Sequence, residues 1–338
     1  MTMSRRIAAL TAVSALVLAG CSSNDEDTET QATDRETTTS ELTVDATDGP
    51  TDAETAPEAV EPVISDEGMP SVVEEDGIVS LDFEGATEPE QLQVSVVEEG
   101  DGDVVSPEDL VVVNYAGQVW GSDETFDSSW ARGSMTAFGL DMVVQGWRDG
   151  LAGQTEGSRV IVSVPAELGY GPNGGNESAG IGPEDTIVFV VDIDQKVSPD
   201  EVGDPDATVV TEADELPVNI EGDLGELASV SVKEDAEKPE ETTSIVIAES
   251  DGPVVGGEGT TVYFQYSAAT WDNSQTEQSI DFGGVQNATI GQGSPFDLLE
   301  GVPIDSRVLL LVPGDESTPG LAALVDVVGH LPAPATTE

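Results

Sequence analysis

The segments LVVVNY (residues 110–115) and RVIVSV (residues 159–164) decide the fold class of this chain. Both are rich in β-branched residues, which favour β-strands. Residues 186–193 form a third, almost continuously apolar run, which is typical of a central strand. The best helical candidate is short, from Gln145 to Ala152, with apolar residues four apart on one face. The pattern predicts an α+β fold in which a twisted antiparallel β-sheet wraps around a short helix.

Large aromatic residues are concentrated in the same part of the chain. Residues 110–189 contain three of the four tryptophans, two of the four tyrosines and three of the seven phenylalanines. Each of these side chains is large and rigid, so their clustering predicts a packed apolar pocket in addition to a core.

The chain is strongly acidic. Its 338 residues include 68 Asp+Glu against 10 Lys+Arg, a formal net charge of -58. Such a surface repels the phosphates of nucleic acids, so we expect no nucleic-acid partner. Two interpretations of the charge stay open: a solubility device of an exported protein, or attraction of cationic clients or divalent ions. The single cysteine excludes an intramolecular disulfide, so packing alone must hold the fold.

The first 21 residues have the pattern of a bacterial lipoprotein signal peptide. Arg5 and Arg6 precede a short apolar run that ends in LAGC (residues 18–21), which resembles a lipobox. The resemblance implies lipid attachment at Cys21 and a location at the extracytoplasmic face of the cell membrane. The alternative is an ordinary secretory signal in which Cys21 occurs by chance. Residues 22–60 are acidic, lack aromatic residues and are predicted to form a disordered tether.

A repeat divides the rest of the chain into two domain-sized units. Tyr115 reappears as Tyr266, and SRVIVSVP (residues 158–165) reappears as SRVLLLVP (residues 306–313). The predicted organisation is a first unit at 61–197, a linker at 198–216, a second unit at 217–331 and a tail at 332–338. Residues 61–94 and 217–242 are matching N-terminal extensions, each of which either adds a strand or lies extended.

The first unit resembles the FKBP-type peptidyl-prolyl cis-trans isomerases. Seven motifs occur in family order and near-family spacing: VNYAG (113–117), FDSS (126–129), VVQGW (143–147), LAG (151–153), GSR (157–159), ELGYG (167–171) and IGPEDTIVF (181–189). The resemblance implies an isomerase of X-Pro bonds that needs neither a metal nor another cofactor. Its implied partners are proline-containing exported polypeptides and macrolide FKBP ligands. The sole histidine, His330, is predicted to be a surface residue.

The resemblance also implies which residues form the site. Tyr115, Asp127 and Tyr170 take the catalytic roles: Tyr170 donates a hydrogen bond to a substrate carbonyl, while Asp127 and Tyr115 orient each other. Trp147 forms the floor of the substrate pocket. The other substrate-binding residues are Phe126, Phe138, Val143, Val144, Ile181 and Phe189. Taken singly, the aromatic residues are also consistent with plain core, Asp127 with a turn or helix cap, and Tyr170 with a surface loop.

Such a pocket suits the reaction. Rotation about an X-Pro bond faces a barrier of ~18–20 kcal/mol because amide resonance must be broken. The planar ground state is dipolar and well hydrated, whereas the twisted transition state has lost much of that charge separation. A dry aromatic pocket therefore binds the twisted form better, which is catalysis by differential binding.

The first unit departs from the family pattern near the pocket. The segment between Phe138 and Val143 is about two residues shorter, and Thr136 replaces a common aromatic residue. The loop at 172–180 is glycine-rich and lacks an apolar tip, so we expect a weaker grip on the peptide.

The second unit keeps the scaffold and loses most of the predicted site. Tyr266 is the only site residue that survives. The position of Phe126–Asp127 falls near Glu277–Gln278, and that of Trp147 falls near Pro295. The segment that carries the flap is largely deleted. We predict a degenerate FKBP-like unit without isomerase activity, whose role is to bind an extended chain, to dimerise or to pack on the first unit.

Two functions follow from these patterns. The first is a membrane-tethered, extracytoplasmic isomerase that speeds the proline-limited folding of exported proteins. The alternative is a weakly catalytic or non-catalytic chaperone lipoprotein in which both units hold peptide segments.

Overall fold

The computed structural model describes residues 58–315 and 318–335. The predicted signal peptide, Cys21 and most of the predicted tether lie outside these residues. Within the described ranges, no helix is both long and apolar enough to cross a membrane. The last residues of the predicted tether are held on the first unit, because the Val60 N–H donates to Asp149 Oδ2 at 2.8 Å and Gln145 Nε2 donates to the Glu58 carbonyl at 2.8 Å.

The first unit is built mainly from strands. Its strands are β1 (Val63–Ile64), β2 (Ser71–Glu75), β3 (Ile78–Asp82), β4 (Gln93–Glu98), β5 (Leu110–Val119), β6 (Thr125–Ser128), β7 (Thr136–Gly139), β8 (Arg159–Val164) and β9 (Ile187–Val197). Its helices are α1 (Ser129–Arg132) and α2 (Gln145–Leu151), with 3-10 turns at Leu140–Met142, Ala166–Leu168, Gly171–Asn173 and Glu177–Ala179. The sheet order is β1-β4-β8-β9-β5-β6, with β7 also on β5. All pairs are antiparallel except β1 with β4.

Helix α2 lies against the sheet at the place predicted for it, and two glycines allow its close approach. A Cβ on Gly146 would stand 2.3 Å from Val164 Cγ1, and a Cβ on Gly150 would stand 2.6 Å from Val162 Cγ1. The side chains between them, Trp147 included, therefore reach the inner face of β8 and the core. The helix and the inner face of the sheet thus hold the predicted pocket residues in one packed cluster.

The rest of the chain forms a second sheet with the same strand order. Its strands are β10 (Thr208–Val209), β11 (Val218–Glu221), β12 (Ser229–Val232), β13 (Thr243–Glu249), β14 (Thr261–Thr270), β15 (Thr276–Gln278), β16 (Gln286–Thr289), β17 (Arg307–Val312) and β18 (Leu321–Leu331). The order is β10-β13-β17-β18-β14-β15, with β16 also on β14. In place of α1 and α2 it has 3-10 turns at Ser279–Phe282 and Pro295–Leu299.

The N-terminal extensions form two matching hairpins. Strands β2 and β3 pair with each other, as do β11 and β12. The first hairpin buries Val79 and Leu81 against Ile161 and Val188 on the outer face of its sheet. The second hairpin packs on the outer face of the other sheet in the same way. Each extension therefore covers a sheet face instead of lying extended across it, while β1 and β10 add short edge strands.

An arginine–aspartate pair links the same two strands in each unit. Arg159 donates to both carboxylate oxygens of Asp192, and Arg307 does the same to Asp326. The second pair is the more deeply buried, with side chains 3% and 5% exposed. These pairs join β8 to β9 and β17 to β18, the central strands of the two sheets.

The residues predicted to form a linker are folded against the second unit. Strand β10 joins its sheet, and Leu216 is buried in the cluster beneath the second hairpin. His330 is also not a simple surface residue, contrary to prediction. It is half-buried, its N–H donates to Gln195 Oε1 of the first unit at 2.9 Å, and burial lowers its pKa.

Candidate active site

Trp147 is the centre of an aromatic cluster at the start of α2. Its ring centroid lies 5.0 Å from that of Phe138, 5.7 Å from that of Phe189 and 6.0 Å from that of Tyr115. The contacts are edge-to-face, the arrangement that aromatic rings favour. Three strands and one helix thus bring together residues that are 74 positions apart between Tyr115 and Phe189. The cluster has the composition predicted for a pocket floor and walls.

A glycine on β5 makes room for two rings of the cluster, Phe126 and Phe189. Phe126 and Phe189 pack edge-to-face with centroids 5.6 Å apart. A Cβ on Gly117 would stand 2.5 Å from Phe126 Cζ and 2.7 Å from Phe189 Cε1. Only glycine at this position of β5 lets both rings lie over the strand, so Gly117 shapes the site although no sequence motif assigned it that role.

The remaining predicted substrate-binding residues join the same cluster. Val143, Val144 and Tyr170 are partly buried against it, and Ile181 is buried within it. The shortened segment before Val143 is a single 3-10 turn whose Leu140 is fully buried. The turn keeps Val143 and Val144 at the cluster despite the missing residues.

Tyr115, Asp127 and Arg132 form a charged network at the edge of the cluster. The Tyr115 hydroxyl donates to Asp127 Oδ2, and Arg132 Nη1 donates to Asp127 Oδ1. Arg132 Nη2 donates to the Tyr115 hydroxyl oxygen at 3.1 Å, and the guanidinium carbon lies 5.5 Å from the Tyr115 ring centroid. The side chains of Asp127 and Arg132 are each 43% exposed, so the network lies at the boundary between the apolar cluster and solvent.

This network holds Tyr115 in its protonated form. Burial, followed by the hydrogen bond to Asp127, raises the pKa of Tyr115 to about 12. A hydroxyl with so high a pKa remains a neutral donor throughout the physiological range. It can orient the Asp127 carboxylate without adding a negative charge beside the pocket.

The sequence did not identify Arg132 as a site residue. Its position depends on α1, which is capped by Ser128 at its start and by Gly133 in the left-handed conformation at its end. The Ser129 hydroxyl accepts the Tyr115 N–H at 2.8 Å and so fixes α1 on β5. The amino-acid composition could have pointed to Arg132, because a basic residue five positions after Asp127 is unusual in a chain with only 10 Lys+Arg.

Thr136 takes part in the same network. Arg132 Nη2 donates to Thr136 Oγ1 at 3.2 Å, so the residue that replaces a common family aromatic secures the arginine. At this position the pocket therefore has a polar contact in place of an aromatic ring, which the sequence alone did not indicate.

The loop that carries Tyr170 is ordered by local hydrogen bonds. Asn176 and Ile181 exchange backbone hydrogen bonds at 2.7 and 2.9 Å, and Ala179 packs on the aromatic cluster. In the described part of the chain, the Tyr170 hydroxyl makes no hydrogen bond. It is therefore free to donate to a bound peptide.

The second unit keeps more of the network than predicted. Glu277 stands opposite Ala268 in the strand register, as Asp127 stands opposite Gly117, and the Tyr266 hydroxyl donates to Glu277 Oε1. The prediction that only the tyrosine survives was therefore wrong, because the strand register aligns the two acids. The position of Arg132 is taken by Phe282, which is 51% exposed.

The second unit lacks the aromatic pocket itself. Phe264 and Phe296 are stacked with centroids 4.3 Å apart, and they are 1% and 6% exposed. Ala323 occupies the register position of Phe189, and Ala288 that of Phe138. Two alanines thus stand where the first unit has two of the aromatic rings that contact Trp147.

The sequence of the first unit is similar to those of known proteins. The family model described as FKBP-type peptidyl-prolyl cis-trans isomerase matches residues 102–194, which include every predicted catalytic and substrate-binding residue. An FK506-binding protein of Streptomyces anulatus is 36% identical over 115 residues, which cover 33% of this chain and 92% of the relative. A probable FK506-binding protein of Corynebacterium glutamicum is 37% identical over 106 residues, 31% of this chain and 86% of the relative. The crystal structure of FkpA from Escherichia coli is 34% identical and aligns over 37% of this chain and 53% of that chain, with a TM-score of 0.30.

Proposed function

The chain belongs to the FKBP-type peptidyl-prolyl cis-trans isomerase family, and from that membership we propose a lipid-anchored enzyme that speeds the folding of exported proteins. The first unit carries the activity, and Cys21 carries the anchor at the extracytoplasmic face of a bacterial membrane. The observation that supports the isomerase site most directly is the Trp147 cluster with the Tyr115–Asp127–Arg132 network at its edge.

Each part of the site has a distinct task in this proposal. The substrate proline enters the apolar space over Trp147, where the twisted amide loses less hydration than the planar amide does. The Tyr170 hydroxyl donates to a substrate carbonyl. Asp127, fixed by Tyr115 and Arg132, holds the peptide next to the proline. Binding and geometry lower the barrier, and no nucleophile is required.

The second unit is a degenerate copy of the first in this proposal. The equal strand order, the repeated Arg–Asp pair and the Tyr266–Glu277 hydrogen bond support common ancestry. Ala323 and Ala288 replace Phe189 and Phe138, and the buried Phe264 and Phe296 stack on each other, so the second unit lacks an aromatic cluster like that around Trp147. The second unit therefore does not isomerise proline bonds.

The activity is tested with the chain from residue 22 and a proline-limited refolding substrate. We expect the chain to accelerate the slow refolding phase, and a macrolide FKBP ligand to abolish the effect. A folded chain that neither accelerates refolding nor binds the macrolide would contradict the proposal.

The anchor is tested separately. We expect mass spectrometry of the full chain, expressed in a bacterial host, to find an acylated N-terminal Cys21. Cys21→Ala should shift the protein from the membrane fraction to the soluble fraction, whereas Ser22→Ala should not. Equal membrane recovery of both variants would reject lipidation.

A second candidate is a chaperone that holds peptide without isomerising it. The observation that favours it is the exposed Phe282 at the position of Arg132, because an exposed apolar residue beside a former site can contact an extended chain. It predicts that suppression of client aggregation survives Asp127→Ala and is lost in Phe282→Ser.

A further inference from the structure

Strand β7 lies between the candidate active site and the second unit. Along a strand, successive side chains point to opposite faces. Thr136 and Phe138 face the site, where they contact Arg132 and Trp147 respectively. Met135 and Ala137 have the opposite orientation and pack against a cluster that the two units share. The strand thus connects the pocket wall to the second unit directly.

The shared cluster is buried and apolar. Val112 and Val197 of the first unit and Tyr263 and Val328 of the second are at most 5% exposed. Leu110, Met135, Ala137, Val285 and Leu331 pack around them. Val112 stands opposite Ala137 in the β5–β7 register, so the second unit covers the back of both strands. In the described chain, β5 is the only sheet partner of β7, and the second unit covers the face of β7 that is turned away from the site.

The fit between the units is close at Gly329. A Cβ at this position would stand 2.7 Å from Val197 Cγ2 and 2.9 Å from Gln195 Oε1. The neighbouring His330 N–H donates to the same Gln195 oxygen at 2.9 Å. A single added methyl group would therefore force Val197 and Gln195 to shift at the contact between β18 and β9, without changing any site residue.

A backbone hydrogen bond also crosses between the units beside this cluster. The Ala335 N–H donates to the carbonyl of Gly133 at 3.3 Å, and Gly133 directly follows Arg132. The turn that joins α1 to β7 is therefore held at both ends, by Ala335 at Gly133 and by the shared cluster at Met135.

We propose that the second unit positions the isomerase site, with Tyr263 and Gly329 as positioning residues that act through β7. By supporting the back of β7, they fix the Phe138 wall of the pocket and the Thr136 contact to Arg132. This inference rests on the proposed isomerase function of the first unit. It gives the inactive copy a role in substrate binding that requires no pocket of its own.

The test compares two interface variants of the chain from residue 22, Tyr263→Ala and Gly329→Ala. The control is Gly257→Ala, which also adds a methyl group to the second unit but meets only the flexible end of Glu300, at 3.2 Å. The measurements are KM and kcat on a tetrapeptide with an internal X-Pro bond, and Kd for a macrolide FKBP ligand. Circular dichroism establishes that each variant is folded.

We expect both interface variants to raise KM and the macrolide Kd by about five- to ten-fold, because a pocket wall displaced by a fraction of an ångström binds less well. Tyr263→Phe, which keeps the ring, should restore wild-type values, and Gly257→Ala should equal wild type. A purely structural role would instead lower the active fraction, and hence apparent kcat, at unchanged KM and Kd.

Unchanged KM and Kd in both folded interface variants would overturn the inference. If both variants fail to fold, a third variant, Gln195→Ala, removes the acceptor of the His330 N–H without removing apolar contact, and the same outcomes apply to it. An inactive wild-type chain would instead reject the proposed function, so the two failures are distinguishable.

Discussion

Arg132 Nη2 lies 3.1 Å from the hydroxyl oxygen of Tyr115, and the same guanidinium pairs with the Asp127 carboxylate. The arginine therefore neutralises the acid that we propose to hold the peptide, and it restrains the Tyr115 ring at the edge of the aromatic cluster. In a chain with a net charge of -58, a bound carbonyl oxygen would otherwise meet strong negative potential at this edge.

The first prediction concerns this network. Arg132→Ala leaves Asp127 without its cation and should lower kcat/KM by about ten-fold, since hydrogen bonds to charged groups are worth about 1.5–3 kcal/mol. Asp127→Ala should have an effect of similar size. Asp123→Ala removes an exposed acid of the neighbouring turn and should leave kcat/KM unchanged. Activity that survives in Arg132→Ala but not in Asp127→Ala would show that the arginine is not needed to orient the acid.

The second prediction concerns Tyr170. Tyr170→Phe removes a hydroxyl that is free to donate and keeps the ring that packs on the cluster. We expect kcat to fall by about five- to ten-fold, the value of one hydrogen bond of about 1–1.5 kcal/mol, with the unfolding midpoint unchanged. A rise in KM at constant kcat would instead indicate that the hydroxyl binds the ground state and the transition state equally.

The third prediction concerns pH. Burial, opposed in part by Lys196, raises the pKa of Glu156 to about 7, and burial followed by the charge of Glu201 raises that of Asp305 to about 6. Asp103 and Asp194 face Glu156 as further negative charges. Because the folded state binds these protons more tightly than the unfolded state, the free energy of unfolding should increase as pH falls from 8 to 6.

The size of this effect is set by screening. Half-buried carboxylates are partly solvated, so we expect an increase on the order of 1 kcal/mol, seen as a higher thermal midpoint at pH 6 than at pH 8. Glu156→Gln should raise the midpoint at pH 8 and flatten the profile. His330, whose pKa burial lowers, opposes part of this increase, because the unfolded state binds its proton more tightly as pH falls through about 6.5. A midpoint that falls steadily from pH 8 to pH 6 would contradict this assignment.

The fourth prediction compares the two Arg–Asp pairs. Asp326→Ala leaves Arg307, 3% exposed, without its carboxylate, and should lower the free energy of unfolding by about 3–5 kcal/mol. Asp192→Ala removes the partner of Arg159, which is 26% exposed, and should cost about 1 kcal/mol because water replaces the carboxylate. Urea titrations of both variants measure the difference. Equal losses in the free energy of unfolding would mean that the burial of the arginine does not determine how strongly the substitution destabilises the protein.

The sequence by itself determined the elements and the membership of the pocket. β-branched runs identified β5, β8 and β9, and the short helical candidate became α2 at Gln145–Leu151. These features depend on local backbone preference and on alternation of side chains, which adjacent residues encode. The motif order likewise identified the residues that now surround Trp147, because a pocket built on fixed strands keeps a fixed spacing.

Only the tertiary structure decided which side chains meet between distant elements. Arg132 reaches Asp127 because the four-residue helix α1 places it there. Glu277 is equivalent to Asp127 because of the strand register, whereas the spacing of the sequence repeat located this position only to within one residue. The placement of Tyr263 behind β7 depends on how two folded units pack. Such contacts arise from long-range burial, in which many separate segments compete for the same surface, so no local pattern in the sequence specifies them.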